Sequence, residues 1–306
     1  MNTVKVKAPA TIANLVCGFD VLGLCVTDPY DEMVITLLSQ KGVVIRSGDG
    51  FPLPTDPQLN TAGAPLVEML KEVEEDIGFE VTIFKNIKPG SGIGSSAASA
   101  AGAVVGANYL LQNRFTKNDL VRFALFGEKV ASGVKHADNI APCIFGGVTL
   151  IRSIFPLDII PLTAPPLFIS LVHPQIEIKT ADARQILRKD VLLKDAIKQW
   201  GNIGGLVAGL LKEDYELISR SLEDVLIEPF RSILIPGFET IKKASLQAGA
   251  LGGGISGSGP SLFMLSRDAA TAHAIREQMQ NIYASLEIPA HTHVTQINNA
   301  GVQIIT

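Results

Sequence analysis

The chain has 306 residues, 47% of them hydrophobic, and a formal net charge of −4. That is enough apolar material for two medium domains, while the pI near 5.8 and the lack of any Lys/Arg cluster interleaved with aromatics exclude a nucleic-acid partner. Cys17, Cys25 and Cys143 form no CxxC pair, which excludes a disulfide framework and a zinc site and suits a reducing cytoplasm.

Val4, Val6 and Ala8 alternate as a strand, and the first residues lack the continuous apolar stretch of a secretory signal. After Pro9 a loop over residues 13–26 leads into predicted strands over 31–38 and 42–46. Pro52, Pro54 and Pro57 then break regular structure before a surface helix predicted over 60–77, where Leu66, Val67, Leu70 and Val73 recur at helical spacing and Asn60 or Thr61 can cap. A strand over 80–84 runs into a glycine-rich loop and a helix of small residues. The most apolar long window, residues 97–111, holds Asn108 and falls short of the roughly 20 residues a spanning helix needs, so no membrane span is predicted.

Helical periodicity resumes over 117–132, and residues 148–153 and 166–172 read as strands. Pro156, Pro161, Pro165 and Pro166 mark a boundary between them that divides the chain into residues 1–157 and 158–306. The second half alternates predicted helices (180–187, 193–212, 215–222, 238–247) with strands (262–266, 291–296), the order of an α+β domain with an antiparallel sheet.

The loop from Pro89 to Ser99 (Pro89, Gly90, Ser91, Gly92, Ile93, Gly94, Ser95, Ser96, Ala97, Ala98, Ser99) is the most informative stretch. Three glycines within five positions let the backbone turn its N–H groups toward one point, and the following helix adds its positive dipole end, which makes a phosphate cradle. Ser95 can serve as N-cap or phosphate donor, and Ser96 can present its hydroxyl to Mg²⁺. The Walker lysine and its spacing are missing, so the loop is not a P-loop. A glycine-rich strand–helix connection that binds nothing has the same outline; the double serine and the small-residue helix favour the cradle.

The stretch closely resembles the second motif of the GHMP kinases, the family of galactokinase and of homoserine, mevalonate and phosphomevalonate kinases, where it wraps the ATP phosphates. Pro9-Ala10, Asn14-Leu15 and Gly18 to Gly23 look like the first motif in its homoserine-kinase form, with Val16-Cys17 in place of the usual Gly-Pro. Residues 249–265, including Gly257, resemble the third. In residues 127–139, Glu128 suits a Mg²⁺ carboxylate and Asp138 a group that orients the attacking hydroxyl, since phosphoryl transfer is mainly positioning and charge stabilisation. The spacing of Glu128, Ser132-Gly133, His136, Asp138-Asn139, Pro142 and Gly146-Gly147 resembles the homoserine-kinase branch; His136 reads as a structural histidine that holds the turn. His291 and His293 lack a third ligand for zinc.

Asn14 and Asp20 together suit an ammonium group, or make Asx turns in a loop. Arg184 and Arg231 lie in segments that resemble those whose arginines hold the substrate carboxylate, and guanidinium groups bind carboxylates bidentately; each can also be a solvated surface arginine. The resemblance covers nearly the whole chain. It implies an α+β, two-domain GHMP kinase fold, with a ribosomal protein S5 domain 2-like N-terminal domain carrying the ATP loop and a ferredoxin-like C-terminal domain. It implies ATP and Mg²⁺ as cofactors, L-homoserine as the small-molecule substrate in a step toward threonine, catalytic roles for Ser96, Glu128, Asp138 and Asn139, and a homodimer. The rivals are a kinase of the same family for an isoprenoid alcohol, a sugar or shikimate, and a kinase-like fold that binds without turnover.

Overall fold

The computed structural model describes residues 2–178 and 180–305. Strands β1 (Thr3–Ala13) and β2 (Leu22–Leu38) form a long antiparallel pair. Strand β1 does not stop at Pro9: a register shift between Pro9 and Thr11 absorbs the residue without an N–H. Strand β2 starts at Leu22, so the expected loop of residues 13–26 shrinks to eight residues, 14–21. Strands β3 (Gly42–Ser47), β4 (Gly78–Phe84), β5 (Val148–Ile154) and β6 (Leu157–Leu162) complete this half of the sheet in the order β1-β2-β4-β3, with β5 on β2 and β6 on β5. The stretch that its prolines marked as irregular thus holds a hairpin. Among the described residues strand β6 pairs only with β5, and an edge strand tolerates Pro161.

Helix α1 (Gly63–Leu70) is shorter than expected and buries Leu66 and Met69 rather than lying on the surface. Asn60 caps it from a distance, its Oδ1 accepting from the Ala62 and Gly63 N–H groups. Helix α2 (Ser95–Leu110) lies against β1, β2 and β4 and is covered by α3 (Lys117–Ser132). This central position explains its small residues: a Cβ on Gly106 would lie 2.2 Å from Ile35 Cδ1. A Thr116–Asp119 capping box starts α3, and the short α4 (Ile140–Phe145), not expected from the sequence, closes the layer.

The second half opens with β7 (Phe168–Pro174), followed by α5 (Thr180–Gln185), α6 (Leu193–Lys212), α7 (Tyr215–Ser221), α8 (Glu228–Arg231) and α9 (Phe238–Gln247). Strands β8 (Gly252–Ile255) and β9 (Leu262–Ser266), helix α10 (Ala269–Ser285) and strand β10 (Ala290–Gln296) complete an antiparallel sheet of order β10-β7-β9-β8. Helical crossovers join β7 to β8 and β9 to β10, which is the ferredoxin-like topology expected. Strand β8 hides inside the glycine run because only glycine fits: a Cβ on Gly253 would meet Phe263 O at 2.1 Å. Helix α10, also unexpected, buries just Ala272, Ile275, Met279 and Tyr283 along one stripe. The division expected at 157/158 falls at the first residue of β6, in the first sheet, and β11 (Gln303–Ile305) brings the chain back to pair with β1. No helix among the described residues is long and apolar enough to cross a membrane.

Candidate active site

The three glycine-bearing segments and the two arginine segments meet around one cleft of about 450 Å³. Gly90, Gly92 and Gly94 adopt φ of 77°, 84° and 71°, values at which a Cβ is strained. Gly94, not Ser95, is the N-cap of α2; Ser95 is the first helical residue and its hydroxyl donates inward to Ile87 O at 2.8 Å. The loop's carbonyls are tied down on the far side. Ser91 O accepts from Ser261 N (3.2 Å), Ile93 O from Thr11 N (3.1 Å) and Gly92 O from Ser256 Oγ (2.8 Å). Among the described residues, the N–H groups of Gly92 through Ala97 donate to no protein acceptor. The third motif thus acts as the brace of the second, and a helix N-terminus with uncommitted N–H groups is an anion site. Ser91, Ile93, Ala97 and Ala98 do not line the cleft, whereas Pro89, Gly90, Gly92, Gly94, Ser95, Ser96 and Ser99 do.

Beneath the first turn of α2 lies an ion pair that sequence reasoning missed. Lys85 and Asp31 have side chains 3% and 0% exposed and bond each other directly. The Lys85 ammonium also donates to Ser95 O and Ser99 Oγ, both at 3.2 Å, and the Asp31 carboxylate accepts from the Asn86 and Ile87 N–H groups at 2.8 Å. Burial pushes the Asp31 carboxyl up and the Lys85 ammonium down, and the pairing opposes both. A lone lysine after a strand carries no signal in sequence; only the fold brings Asp31 to it.

Ser96 Oγ donates to Glu128 Oε2 at 3.2 Å, joining α2 to α3. Burial pushes the Glu128 carboxyl up to about 7, with the Ser132 and Ser96 hydroxyls opposing. Asp138 is buried in the turn before α4, and burial, then the charges of Asp20 and Glu128, push it up to about 7. Gly23 makes this position possible: a Cβ there would lie 1.7 Å from the Asp138 carbonyl oxygen. The Asn139 amide is oriented by Thr11, whose hydroxyl donates to its Oδ1 at 2.8 Å.

The first motif turns through consecutive left-handed residues, Asn14 (φ 74°), Leu15 (φ 42°) and Val16 (φ 66°), conformations that cost energy for branched side chains. The Asn14 amide bridges motifs, donating to Gly257 O (3.0 Å) and accepting from Asp20 N (3.1 Å). Asp20 is paired: Arg184 Nη2 lies 3.1 Å from both its oxygens and also donates to His136 Nε2 at 2.9 Å. Accepting from a guanidinium, His136 is neutral at Nε2, and burial holds its pKa down, in keeping with a structural histidine. Arg231 is buried rather than solvated, donating to Ala183 O (2.9 Å) and Gly257 O (3.0 Å). Burial and the neighbouring Arg184 pull it down to about 10, so it stays charged at neutral pH. Phe19, also missed, stands beneath both guanidinium groups at 5.5 and 4.9 Å. At the other end the cleft is walled by Phe51, Pro52, Leu53, Pro54 and Leu59; of these the sequence reading singled out only the two prolines, and those merely as breakers.

A glycine-built loop of uncommitted N–H groups beside buried carboxylates and paired arginines is an arrangement suited to phosphoryl transfer to a small charged molecule. The chain matches the GHMP kinases N terminal domain over residues 64–147 and the GHMP kinases C terminal over 206–285, and it belongs to this family. It is 48% identical to a homoserine kinase of Chloroherpeton thalassium over 92% of this chain and 93% of that protein. A homoserine kinase of Methanocella arvoryzae is 38% identical over 100% of this chain and 98% of its own. Among solved structures, the homoserine kinase of Cytophaga hutchinsonii superposes with a TM-score of 0.95 at 46% identity, covering 100% of this chain and 98% of that one. The L. major mevalonate kinase in complex with R-mevalonate has a TM-score of 0.70 at 16% identity, covering 96% of this chain and 95% of that one, and shares the fold.

Proposed function

We propose that this protein transfers the γ-phosphoryl group of ATP to the side-chain hydroxyl of L-homoserine, giving ADP and O-phospho-L-homoserine. The observation that carries the reading is the pairing of Asp20 with Arg184 beside the anion cradle. A zwitterionic amino acid can exchange that one ion pair for two, its ammonium to Asp20 and Asn14 and its carboxylate to Arg184 and Arg231. A neutral sugar offers no such exchange.

In this reading the ATP phosphates lie on the N–H groups of Gly92 to Ala97, and the apolar wall from Phe51 to Leu59 takes the planar base. Asp138 accepts the hydrogen bond of the substrate hydroxyl and aims it at the γ-phosphorus, while Asn139, held by Thr11, fixes the same end of the substrate. The Ser96 hydroxyl and Glu128 carboxylate form an all-oxygen pair, the donor chemistry Mg²⁺ takes alongside phosphate oxygens, so these two residues would hold the ion. When bound it supplies neutralisation of phosphate charge.

The test is coupled ADP release with Mg-ATP against L-homoserine, mevalonate, shikimate, galactose and L-threonine. Selective turnover of homoserine is expected. Turnover of another alcohol would keep the nucleotide site and overturn the assignments of Asp20, Arg184 and Arg231, and no turnover at all would overturn the reaction.

A further inference from the structure

A second cavity, of about 290 Å³, opens where α2 gives way to α3. Helix α2 starts at the glycine loop and, over its 16 residues, ends about 24 Å away; Val105 and Tyr109 of its last turns line this cavity. Helix α3 starts there with Lys117 and Leu120 and runs back to Glu128, while α4 starts beside Asp138 and Asn139 and ends there with Ile144. Val302 and Ile304 of the returning C-terminal segment close the remaining side, the Val302 N–H donating to Cys143 O of α4 at 2.8 Å. The three helices whose near ends carry Ser96, Glu128 and Asn139 thus share one cavity at their far ends.

Its walls are fixed. Asn108, the polar residue of the apolar helix, is 5% exposed and spends its whole amide on the α2–α3 connection: Oδ1 accepts from the Phe115 N–H at 2.9 Å and Nδ2 donates to Phe115 O at 3.0 Å. Phe115 in turn packs edge-on against Phe123, with ring centroids 5.1 Å apart. A satisfied buried amide and a packed ring keep a cavity preformed rather than letting it collapse.

The lining sets the chemistry of the ligand. The floor is apolar, with Leu120 and Ile144 buried. Lys117 donates to Phe145 O at 3.2 Å and lies 5.3 Å from the Phe145 ring, and among the described residues it makes no ion pair. The Tyr109 hydroxyl and the Asn113 side-chain amide bond no protein group among the described residues. No carboxylate lines the cavity, so an ammonium finds no counter-ion there, whereas a carboxylate finds one cation and two further donors above an apolar floor.

We propose that this cavity is a regulatory site for a small carboxylate with an apolar body the size of one ring, held by Lys117, and that its occupancy is felt in the cleft through α2, α3 and α4. Helices are stiff elements, and a ligand wedged between three of them at one end biases their spacing at the other.

Titration calorimetry of the full chain with 3-phenylpropionate, and with 3-phenylpropylamine as its cationic counterpart, tests the site whatever reaction the cleft performs. One-to-one binding of the acid with a Kd below about 1 mM is expected, and none of the amine. Lys117→Gln should weaken the acid at least about tenfold. Ala300→Trp should abolish binding by filling the mouth from an exposed position. Neither residue lines the cleft. Saturating acid should change the Kd of Mg-ADP by about fivefold or more, and Mg-ADP should change that of the acid by the same factor. Equal binding of acid and amine, no saturation by about 10 mM, or independent binding of acid and Mg-ADP would each overturn the proposal. So would binding that survives both substitutions, the result expected if the acid lay on Arg184 and Arg231 in the cleft. Failure of Mg-ADP itself to bind would overturn the nucleotide site proposed above, with the acid and amine titrations still deciding this one.

Discussion

Asp138→Asn should make this protein more stable while disabling it, and the size of the effect follows from one buried carboxyl. Asp138 is 5% exposed, and its pKa rises from an ordinary 3.8 to about 7. Below about pH 4 both the folded and the unfolded chain hold the proton, and the substitution costs or gains little. Between the two values the unfolded chain ionises and the folded one does not, so folding loses about 1.36 kcal/mol for each unit of pH. Above about pH 7 the loss is complete; the interval from 3.8 to about 7 sets it at no more than about 4 kcal/mol, and solvent relaxation in an open cleft brings it to about 2–4 kcal/mol. The isosteric amide escapes this cost because it never ionises. Urea unfolding at pH 5, 6, 7 and 8 should show the variant's advantage growing with pH and levelling off near 7, while turnover falls by at least about 100-fold. An advantage independent of pH, or a variant less stable than wild type at pH 8, would refute the electrostatic account of this residue.

Three further outcomes follow from the same geometry. Because Glu128 and Asp138 are both pushed up to about 7, kcat/KM should rise with pH through that region more steeply than one ionisation allows; Glu128→Gln removes a repelling charge and should shift the remaining limb to lower pH, and an unmoved limb would count against their coupling. Gly23→Ala places a methyl group 1.7 Å from the Asp138 carbonyl oxygen, against backbone that cannot swing aside as a flexible side chain would, and should cost more than about 2 kcal/mol in urea together with most of the turnover; a fully active variant would show that the turn carrying Asp138 can move. Lys85→Met strands the buried Asp31 carboxylate and should cost about 3–5 kcal/mol, most of it recovered in Lys85→Met with Asp31→Asn; a double variant no more stable than the single one would mean that Lys85 matters through its contacts to Ser95 and Ser99 rather than through its charge.

The glycine loop was legible because a cradle of backbone N–H groups needs only local features: glycines at positive φ, small residues and a helix start within eleven positions. Glu128, Asp138 and the arginines were legible as residue types at a spacing, and the fold does bring Glu128, Asp138, Arg184 and Arg231 to one cleft. What stayed hidden depends on partners far along the chain. Asp31 and Lys85 meet because β2 and β4 pair, and Phe19 looks like any loop aromatic until two guanidinium groups stand over it. Strands β6 and β8 were lost to composition, since prolines and glycines argue against strands unless an edge position or a close backbone approach favours them.

One feature of the first motif shows how local cost and distant function are joined. Asn14, Leu15 and Val16 all take left-handed backbone conformations, and Val16-Cys17 stands where glycine and proline would make such a turn easily. The strain is held by bonds from outside the turn: Asn14 to Gly257 O, Gln199 of α6 to Cys17 O at 2.7 Å, and the Asn14 N–H to Leu22 O at 2.7 Å. The turn in return aims Asp20 at Arg184. The third motif and α6 therefore do more than close the cleft. They maintain a backbone path that this local sequence disfavours, and loosening either should first be felt at Asp20 before it is felt at the glycine loop.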